Sequence, residues 1–151
     1  EMNRLGIKPE LEAFDAGMIN YAKYLIKKDI LKPPYYFNLI LGNIACAQAD
    51  ILHAGVMLND VPENSICSLG GIGSSQLKIN SLAISMGLGV RVGLEDNIWY
   101  DTNRTKLAKN IDLIKRIHVI AKANERPVMS PLELRRLLRL AEGNGQYGVK
   151  A

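Results

Sequence analysis

Arg91 and two adjacent carboxylates, Glu95 and Asp96, lie within the segment GVRVGLEDN, residues 89–97. The valines favour a strand, and the glycine and the Asp–Asn pair that follow favour its end. A carboxylate at a strand end can bind a divalent metal, and its neighbour can act as a general base. The alternative is a structural ion pair beside a turn. The two-residue period places Arg91 and Glu95 on one face, where a buried charge needs a partner, and this favours a functional site.

Two further carboxylates, Glu10 and Glu12, occur in another predicted strand, IKPELEAFD, residues 7–15. They share one face by the two-residue period, and either could pair with Arg91 across a sheet. The alternative is a solvent-facing edge strand, which Pro9 allows. The residue types alone leave both interpretations open.

The segment GGIGSSQ, residues 70–76, predicts a glycine turn that leads into a helix. Backbone N–H groups at such a turn can bind a carboxylate or a phosphate, so Gly71 and Gly73 are candidate substrate-binding residues. The segment lacks the full pattern of a dinucleotide-binding or P-loop site. A tight turn without a ligand is equally compatible with these residues.

Other residues that could do chemistry give weaker signals. His53 and His118 lie in predicted helices without a histidine or cysteine four residues away, which favours packing over metal binding. Cys46 and Cys67 are far apart in apolar surroundings, which indicates free thiols in a reducing compartment. No serine or cysteine has the sequence context of a nucleophile elbow.

The composition indicates one soluble globular domain of 151 residues, with 48% hydrophobic and 23% charged residues. A net charge of +4 suits anionic substrates, and the arginines of residues 133–140 are typical of a solvated helix face rather than a nucleic-acid surface. No apolar run reaches about 18 residues, and no signal-peptide pattern opens the chain. We therefore expect a cytoplasmic protein. Because the first residue is not methionine, we also expect it to be part of a longer protein.

A repeated strand–helix pattern must position these candidate residues. Strands are predicted to start near residues 7, 35, 65 and 89. Helices are predicted over residues 17–31, 47–60, 74–87 and 104–123, and another begins at Ser130 and Pro131. Such alternation predicts βαβ units and a parallel sheet.

Two architectures fit four βα units: an open, doubly wound sheet or half of a closed (β/α)₈ barrel. Polar residues inside the predicted strands favour the barrel, since charged side chains are normal near a barrel mouth and unusual on a covered sheet face. We therefore predict an α/β fold in which residues 1–151 form a single, partial (β/α)₈ domain.

Three strings of the sequence resemble the β-keto acid cleavage enzymes: GIKPELEAFDAGMI (6–19), GGIGSSQ (70–76) and VRVGLEDN (90–97). The similarity runs over most of the chain in the same order and corresponds to the C-terminal half of that family's TIM barrel. The resemblance implies a reaction in which a small β-keto acid condenses with acetyl-CoA. The product is then cleaved to acetoacetate and a new acyl-CoA.

The resemblance also implies a divalent metal, generally zinc, bound by two histidines of an H-x-H motif and one glutamate. Glu95 would be that glutamate, and Asp96 would be the general base. Arg91 would orient Asp96 and stabilise developing negative charge, while Glu12, nearer the mouth than Glu10, would orient Arg91. Glu10 is a candidate substrate-binding residue. No H-x-H occurs in the 151 residues, so the other metal ligands would come from outside this chain.

Two hypotheses follow from different functional classes. The first is the C-terminal half of a metal-dependent β-keto acid cleavage enzyme, competent only with an N-terminal half from the same chain or a separate subunit. The second is a non-catalytic half-barrel that self-associates to cover its open sheet edges and serves as a binding or scaffold protein. A homo-oligomer or a complementary half is expected in either case, without nucleic-acid or membrane partners. A third hypothesis, a phosphate-binding barrel isomerase, is supported only by the predicted glycine turn.

Overall fold

The structure is a computed structural model that describes residues 1–141. Its strands are β1 (Glu10–Ala13), β2 (Tyr35–Leu41), β3 (Ser65–Gly71) and β4 (Gly89–Val90). Its helices are α1 (Ala16–Lys27), α2 (Ile51–Asp60), α3 (Gln76–Ser85), α4 (Asn110–Ala123) and α5 (Pro131–Leu137). A short 3₁₀ turn, Gly73–Ser75, precedes α3. The alternation of strands and helices predicted from the sequence is confirmed.

The four strands form one parallel sheet in the order β1-β2-β3-β4. Consecutive strands are therefore neighbours, as in a segment of a (β/α)₈ barrel, whereas a doubly wound sheet reverses its strand order partway. The predicted α/β class and parallel sheet are confirmed, and the strand order agrees with the half-barrel rather than with the doubly wound alternative.

One face of the sheet packs against the helices. Phe37, Leu39 and Leu41 of β2 alternate along the strand and are completely buried, as expected for side chains that share one face. The same core contains residues from the first three helices: Ile19, Ala22, Ala54, Met57, Ile79 and Ala83. Burial of these apolar side chains supplies the main favourable term in folding.

The opposite face of the sheet carries polar side chains. In the strand register Glu12 is paired with Asn38, Asn38 with Ser68, and Ser68 with Gly89. Asn38 and Ser68 are buried, whereas Glu12 is exposed at the β1 edge. This row of polar residues is the part of the fold that positions the candidate site.

Several predicted boundaries differ from the structure. β1 begins at Glu10 rather than residue 7, because Pro9 has no N–H to donate to a ladder. β4 ends at Val90, so Arg91 lies just beyond it. α4 begins at Asn110 rather than 104, because residues 101–106 form a loop in which Asp101 accepts hydrogen bonds from the backbone of residues 105 and 106.

Several apolar residues in and beside α1 and α3 face solvent. Met18 and Tyr21 of α1 are exposed, as are Leu77 in α3 and Met86 directly after it. The buried positions of α3 include two polar residues, Gln76 and Asn80, whereas Leu77 lies on the exposed face. The predicted start of α5 is confirmed, because Ser130 caps it, with Pro131 in its first turn.

None of the helices within residues 1–141 combines the length and the apolar character that crossing a membrane requires. The two cysteines, Cys46 and Cys67, are both free thiols, which confirms that they do not form a disulfide.

Candidate functional site

Arg91 is positioned by the strand beside it. Its backbone N–H donates to the carbonyl of Leu69 at 3.0 Å, which continues the pairing of β4 with β3. Its side chain runs over Gly70, where an added Cβ would lie 3.2 Å from the Cβ of Arg91. The absence of a side chain at residue 70 therefore gives the arginine its path across the polar face.

Three carboxylates bind the Arg91 guanidinium. Its Nε donates to Oδ2 of Asp96 at 3.1 Å, and its Nη2 donates to Oε2 of Glu95 at 2.9 Å. Its Nη1 donates to Glu12, a residue 79 positions earlier in the sequence. The structure thus brings together four sequence-predicted site residues, including the expected pairing of Glu12 with Arg91.

Burial is graded across this carboxylate cluster, defined as Arg91 with Glu12, Glu95 and Asp96. The Asp96 side chain is 5% exposed and Arg91 is 19% exposed, whereas Glu12 is 44% and Glu95 is 83% exposed. Asp96 therefore forms the protected end of the cluster and Glu95 the solvent end. A group that reacts with substrate away from water is better placed at the Asp96 end.

One positive charge meets three negative charges in the carboxylate cluster. The hydrogen bond to Asp96 is the largest cause that raises the pKa of Arg91 above its ordinary value, and partial burial acts in the opposite direction. The guanidinium consequently stays charged at every pH at which a protein is folded. The net charge of the cluster is negative, so an added cation would be attracted to it.

A second polar group crosses the sheet beside the carboxylate cluster. The side-chain amide of Asn38 donates to Glu10, and the hydroxyl of Ser68 donates to the amide oxygen of Asn38. Glu10 thus pairs with β2 and not with Arg91. A pocket of about 340 Å³ lies along this face, and its lining includes Glu10, Tyr36, Asn38, Arg91, Glu95 and Asp96.

Sequence analysis missed the buried polar residues of this face and of α3. The available signal was a polar residue inside an apolar strand, Asn38 in YYFNLIL and Ser68 in SICSLGG. Gln76 and Asn80 of α3 are also buried, and both contact the backbone of the segment that carries Arg91. Their positions four residues apart on one helix face could have indicated a shared role.

The glycine turn before α3 is hydrogen-bonded to the backbone of the site. The backbone N–H of Gly73 donates to the carbonyl of Asp96 at 2.7 Å. Gly73 has a φ of +57°, and an added Cβ at Gly71 would lie 2.7 Å from the carbonyl oxygen of Ser75. Both glycines therefore serve the tight turn itself, one through its backbone conformation and the other through close packing.

The described residues supply an incomplete ligand set for a metal. Zinc sites in proteins take about three protein ligands, and residues 1–141 contain no group of three histidine, cysteine or carboxylate side chains arranged to bind an ion. Arg91 lies between the carboxylates of its cluster, and His53 contacts Asp50 at the start of α2, 2.8 Å from Oδ2. Glu95, with its exposed carboxylate, is the cluster member best able to turn toward an added ion.

Several known proteins are similar to this chain over most of its length. Residues 1–140 match the family model described as beta-keto acid cleavage enzyme. The chain is 38% identical over 137 residues to a 3-keto-5-aminohexanoate cleavage enzyme from Fusobacterium nucleatum, covering 89% of this chain and 48% of that protein. It is 32% identical over 142 residues to a 3-dehydrocarnitine:acetyl-CoA trimethylamine transferase from Rhizobium meliloti, covering 94% of this chain and 47% of that protein.

A third relative gives the same proportions. The 3-keto-5-aminohexanoate cleavage enzyme of Acetoanaerobium sticklandii is 31% identical over 144 residues, which cover 93% of this chain and 51% of that protein. The chain therefore spans about half the length of the curated relatives it matches.

Proposed function

Because this chain belongs to the beta-keto acid cleavage enzyme family, we propose that it supplies half of an active site that acts on a β-keto acid and acetyl-CoA. The products are acetoacetate and a new acyl-CoA. The observation that carries this proposal is the buried Asp96 carboxylate held by Arg91 at the end of a parallel strand. The names of the relatives, which are cleavage enzymes and acetyl-CoA transferases, favour this enzyme over a non-catalytic scaffold.

Asp96 is the proposed general base. The carbon between the keto and carboxylate groups of a β-keto acid carries an acidic hydrogen, because the resulting negative charge spreads onto the keto oxygen. Asp96 would take this proton, and the enolate carbon would then attack the thioester carbon of acetyl-CoA and expel CoA as its thiolate. The thiolate would add to the original keto carbon, and the bond between that carbon and the newly acetylated carbon would break. The new acyl-CoA would then be released, and the proton on Asp96 would return to the carbanion to give acetoacetate. The low exposure of the Asp96 side chain, 5%, supports this role because it limits competition from water.

Arg91 and Glu12 are the proposed supports of that base. Arg91 orients the Asp96 carboxylate through its Nε, 3.1 Å from Oδ2, and its positive charge stabilises the developing enolate. Glu12 holds the far end of the guanidinium from β1. A guanidinium bound on three sides cannot rotate away, so its charge stays where negative charge develops.

Substrate contacts are proposed for Glu10, Gly71 and Gly73. Glu10 lines the pocket next to Arg91. The turn that contains both glycines is bonded to the backbone of Asp96, so substrate bound over Asp96 would lie beside this turn.

Glu95 is the proposed metal ligand of this chain, with zinc as the proposed ion. The remaining ligands would come from outside these residues, in a complementary N-terminal half on the same polypeptide or on another subunit. A bound divalent cation supplies polarisation of the keto oxygen. The chain would then be the C-terminal half of a (β/α)₈ barrel, with the polar face of its sheet turned toward the barrel interior.

The test of this proposal is acetoacetate formation from acetyl-CoA and a panel of β-keto acids. The assay uses the intact protein, meaning this chain together with its complementary N-terminal half on the same polypeptide or on another subunit. The panel includes 3-keto-5-aminohexanoate and 3-dehydrocarnitine, the compounds in the names of these relatives. We expect Asp96→Asn to lower kcat by about 10²- to 10⁴-fold, the usual contribution of a general base. The control is Asp60→Asn. Asp60 is the last residue of α2, and its carboxylate binds Lys23 of α1 at the surface. Unchanged turnover in Asp96→Asn would exclude Asp96 as the base.

A further inference from the structure

The segment that carries the reactive groups extends past the end of its strand. β4 ends at Val90, yet Arg91 and Asp96 must keep a defined distance to remain bonded. Three carbonyls of the segment are bonded to α3 and to the turn before it. Asn80 Nδ2 donates to the Arg91 carbonyl at 2.8 Å, Gln76 Nε2 to the Gly93 carbonyl at 2.8 Å, and Gly73 N to the Asp96 carbonyl at 2.7 Å.

The two side-chain donors are among the most buried polar groups of the described residues. Gln76 is 2% exposed and Asn80 is completely buried. They lie four positions apart on α3, so both point from one face of the helix toward the same segment. Burying an amide is unfavourable unless it is hydrogen-bonded, and both amides use their N–H groups on this segment.

The orientation of the Asn80 amide follows from its partners. Nδ2 lies 2.8 Å from the Arg91 carbonyl and 3.3 Å from the Leu69 carbonyl, and carbonyl oxygens can only accept. The amide oxygen therefore points away from them, and among the described residues it has no hydrogen-bond partner. A buried acceptor without a partner is rare and costs stability. The requirement for a donor beneath Arg91 explains why this cost is tolerated.

We propose that Gln76 and Asn80 are positioning residues for the carboxylate cluster. The last ladder hydrogen bond runs from the Arg91 N–H to the Leu69 carbonyl. Beyond it, the two amides hold the backbone of the segment so that the Arg91 guanidinium meets the Asp96 carboxylate. Neither amide contacts the reacting groups, so each acts through the backbone. The catalytic consequence rests on the proposed function, whereas the structural consequence does not.

The test uses near-isosteric variants of the intact protein. Asn80→Leu and Gln76→Met keep most of the side-chain volume and remove the donor. The control is Met57→Ala, which removes a buried side chain of α2 on another part of the core and lowers stability through lost packing. Thermal unfolding of all three variants is measured first. Function is then compared between variants that have lost a similar amount of stability.

The first measurement is hydrogen exchange of the Arg91 Nε–H, followed by NMR with arginine-labelled protein. This proton is bonded to Asp96, so its exchange reports directly on the geometry of the pair. We expect exchange to accelerate on the order of tenfold in Asn80→Leu and Gln76→Met, because the segment opens more often. The rate in Met57→Ala should match the unsubstituted protein. Unchanged exchange in both amide variants would overturn the proposal.

The second measurement separates kcat from KM in the acetoacetate assay. Displacement of the base by a fraction of an ångström should lower kcat about 10- to 100-fold with KM little changed. An equal fall of kcat in Met57→Ala would overturn the positioning role and leave only a general effect of stability. If the unsubstituted protein, completed with the complementary N-terminal half, turns over no β-keto acid, the proposed function fails, and the exchange measurement alone then decides the role of the two amides.

Discussion

At the scale of single residues, Arg91 is the centre of the site because one planar group contacts three acceptors. Its Nε and both terminal nitrogens bind carboxylates from β1 and from the segment after β4. A lysine ammonium is a point donor at the end of a flexible chain and cannot reproduce this fork. The identity of the cation, and not only its charge, therefore matters here.

Arg91→Lys tests this requirement. The ammonium would keep the charge but lose the fixed hold on Asp96 and Glu12, and we expect kcat to fall on the order of 10²-fold, comparable to loss of one transition-state donor. Steady-state kinetics with acetyl-CoA and the best β-keto acid measure the change. Arg4→Lys is the matched control, because within residues 1–141 Arg4 pairs with the exposed Glu1 alone. Near-normal kcat in Arg91→Lys would contradict the role of the guanidinium fork.

Cys67 provides a test of burial at the residue scale. Desolvation raises the pKa of its thiol to about 11, so the reactive thiolate is scarce at neutral pH. In a Cys46→Ser background, we expect alkylation of Cys67 by iodoacetamide to be slow at pH 8 and to accelerate as the pH approaches that pKa. Intact-protein mass spectrometry gives the rate, and urea-unfolded protein is the control. Equal rates for folded and unfolded protein at pH 8 would show that the thiol is not shielded.

At the scale of elements, β3 shapes the site because Gly70, within this strand, has no side chain. Its Gly70 leaves the space that the Arg91 side chain occupies, and the Cβ, Cγ and Cδ of Arg91 all lie within 3.4 Å of an added Cβ. Contacts this close force a neighbour to move. The strand thereby directs a side chain that belongs to its neighbour in the sheet.

Gly70→Ala should therefore disturb the site by displacing the Arg91 side chain. We expect a loss of about 1–3 kcal/mol in the free energy of unfolding from overpacking, together with a lower kcat as Arg91 shifts. Chemical denaturation and the acetoacetate assay measure the two effects. Gly55→Ala is the matched control, because an added Cβ there meets nothing within 4 Å. Alanine inside α2 should stabilise the protein by about 0.5–1 kcal/mol. Equal stability changes in the two variants would refute the steric role of Gly70.

At the scale of the whole molecule, the sheet has two unlike faces. One is filled by apolar side chains from α1, α2 and α3, and the other carries the carboxylate cluster and the pocket. The chain also spans about half the length of its curated relatives. Both observations support a complementary half that completes the site over the polar face.

The proposed metal site predicts a difference between this chain and a completed site. Since Glu95 is the most exposed ligand of the carboxylate cluster and the described residues contain no group of three ligands arranged to bind an ion, we expect the 151-residue chain alone to release zinc readily to a chelator. A protein of the relatives' full length should retain about one zinc, as three-ligand sites do, and Glu95→Gln should weaken that binding. Competition with a chromophoric chelator measures both. One tightly held zinc per isolated 151-residue chain would contradict the shared-ligand proposal.

Local patterns were sufficient for much of this site. The alternation of apolar strands and helices predicted the parallel sheet, and this pattern depends on residues a few positions apart, whose relative directions follow from backbone geometry. Short-range order of this kind can be deduced without knowledge of the rest of the fold. The expectation that Arg91 and Glu95 share one face of a strand was wrong, because β4 ends at Val90 and residues 94–96 form a turn. The turn brings Glu95 and Asp96 back to the Arg91 side chain.

Contacts across the chain were decided by tertiary structure. The sequence placed Glu10 and Glu12 on one face, but the register of β1 against β2 decided that Glu12 binds Arg91 and Glu10 binds Asn38. The burial of Asn80 beneath the Arg91 backbone likewise depends on how α3 packs on β3. The site residues that the structure brings together all precede residue 98, and their short-range arrangement follows from the order of residue types along the chain. Long-range partners were set by strand register and helix packing, because hydrogen bonds depend on sub-ångström distances that no linear pattern specifies.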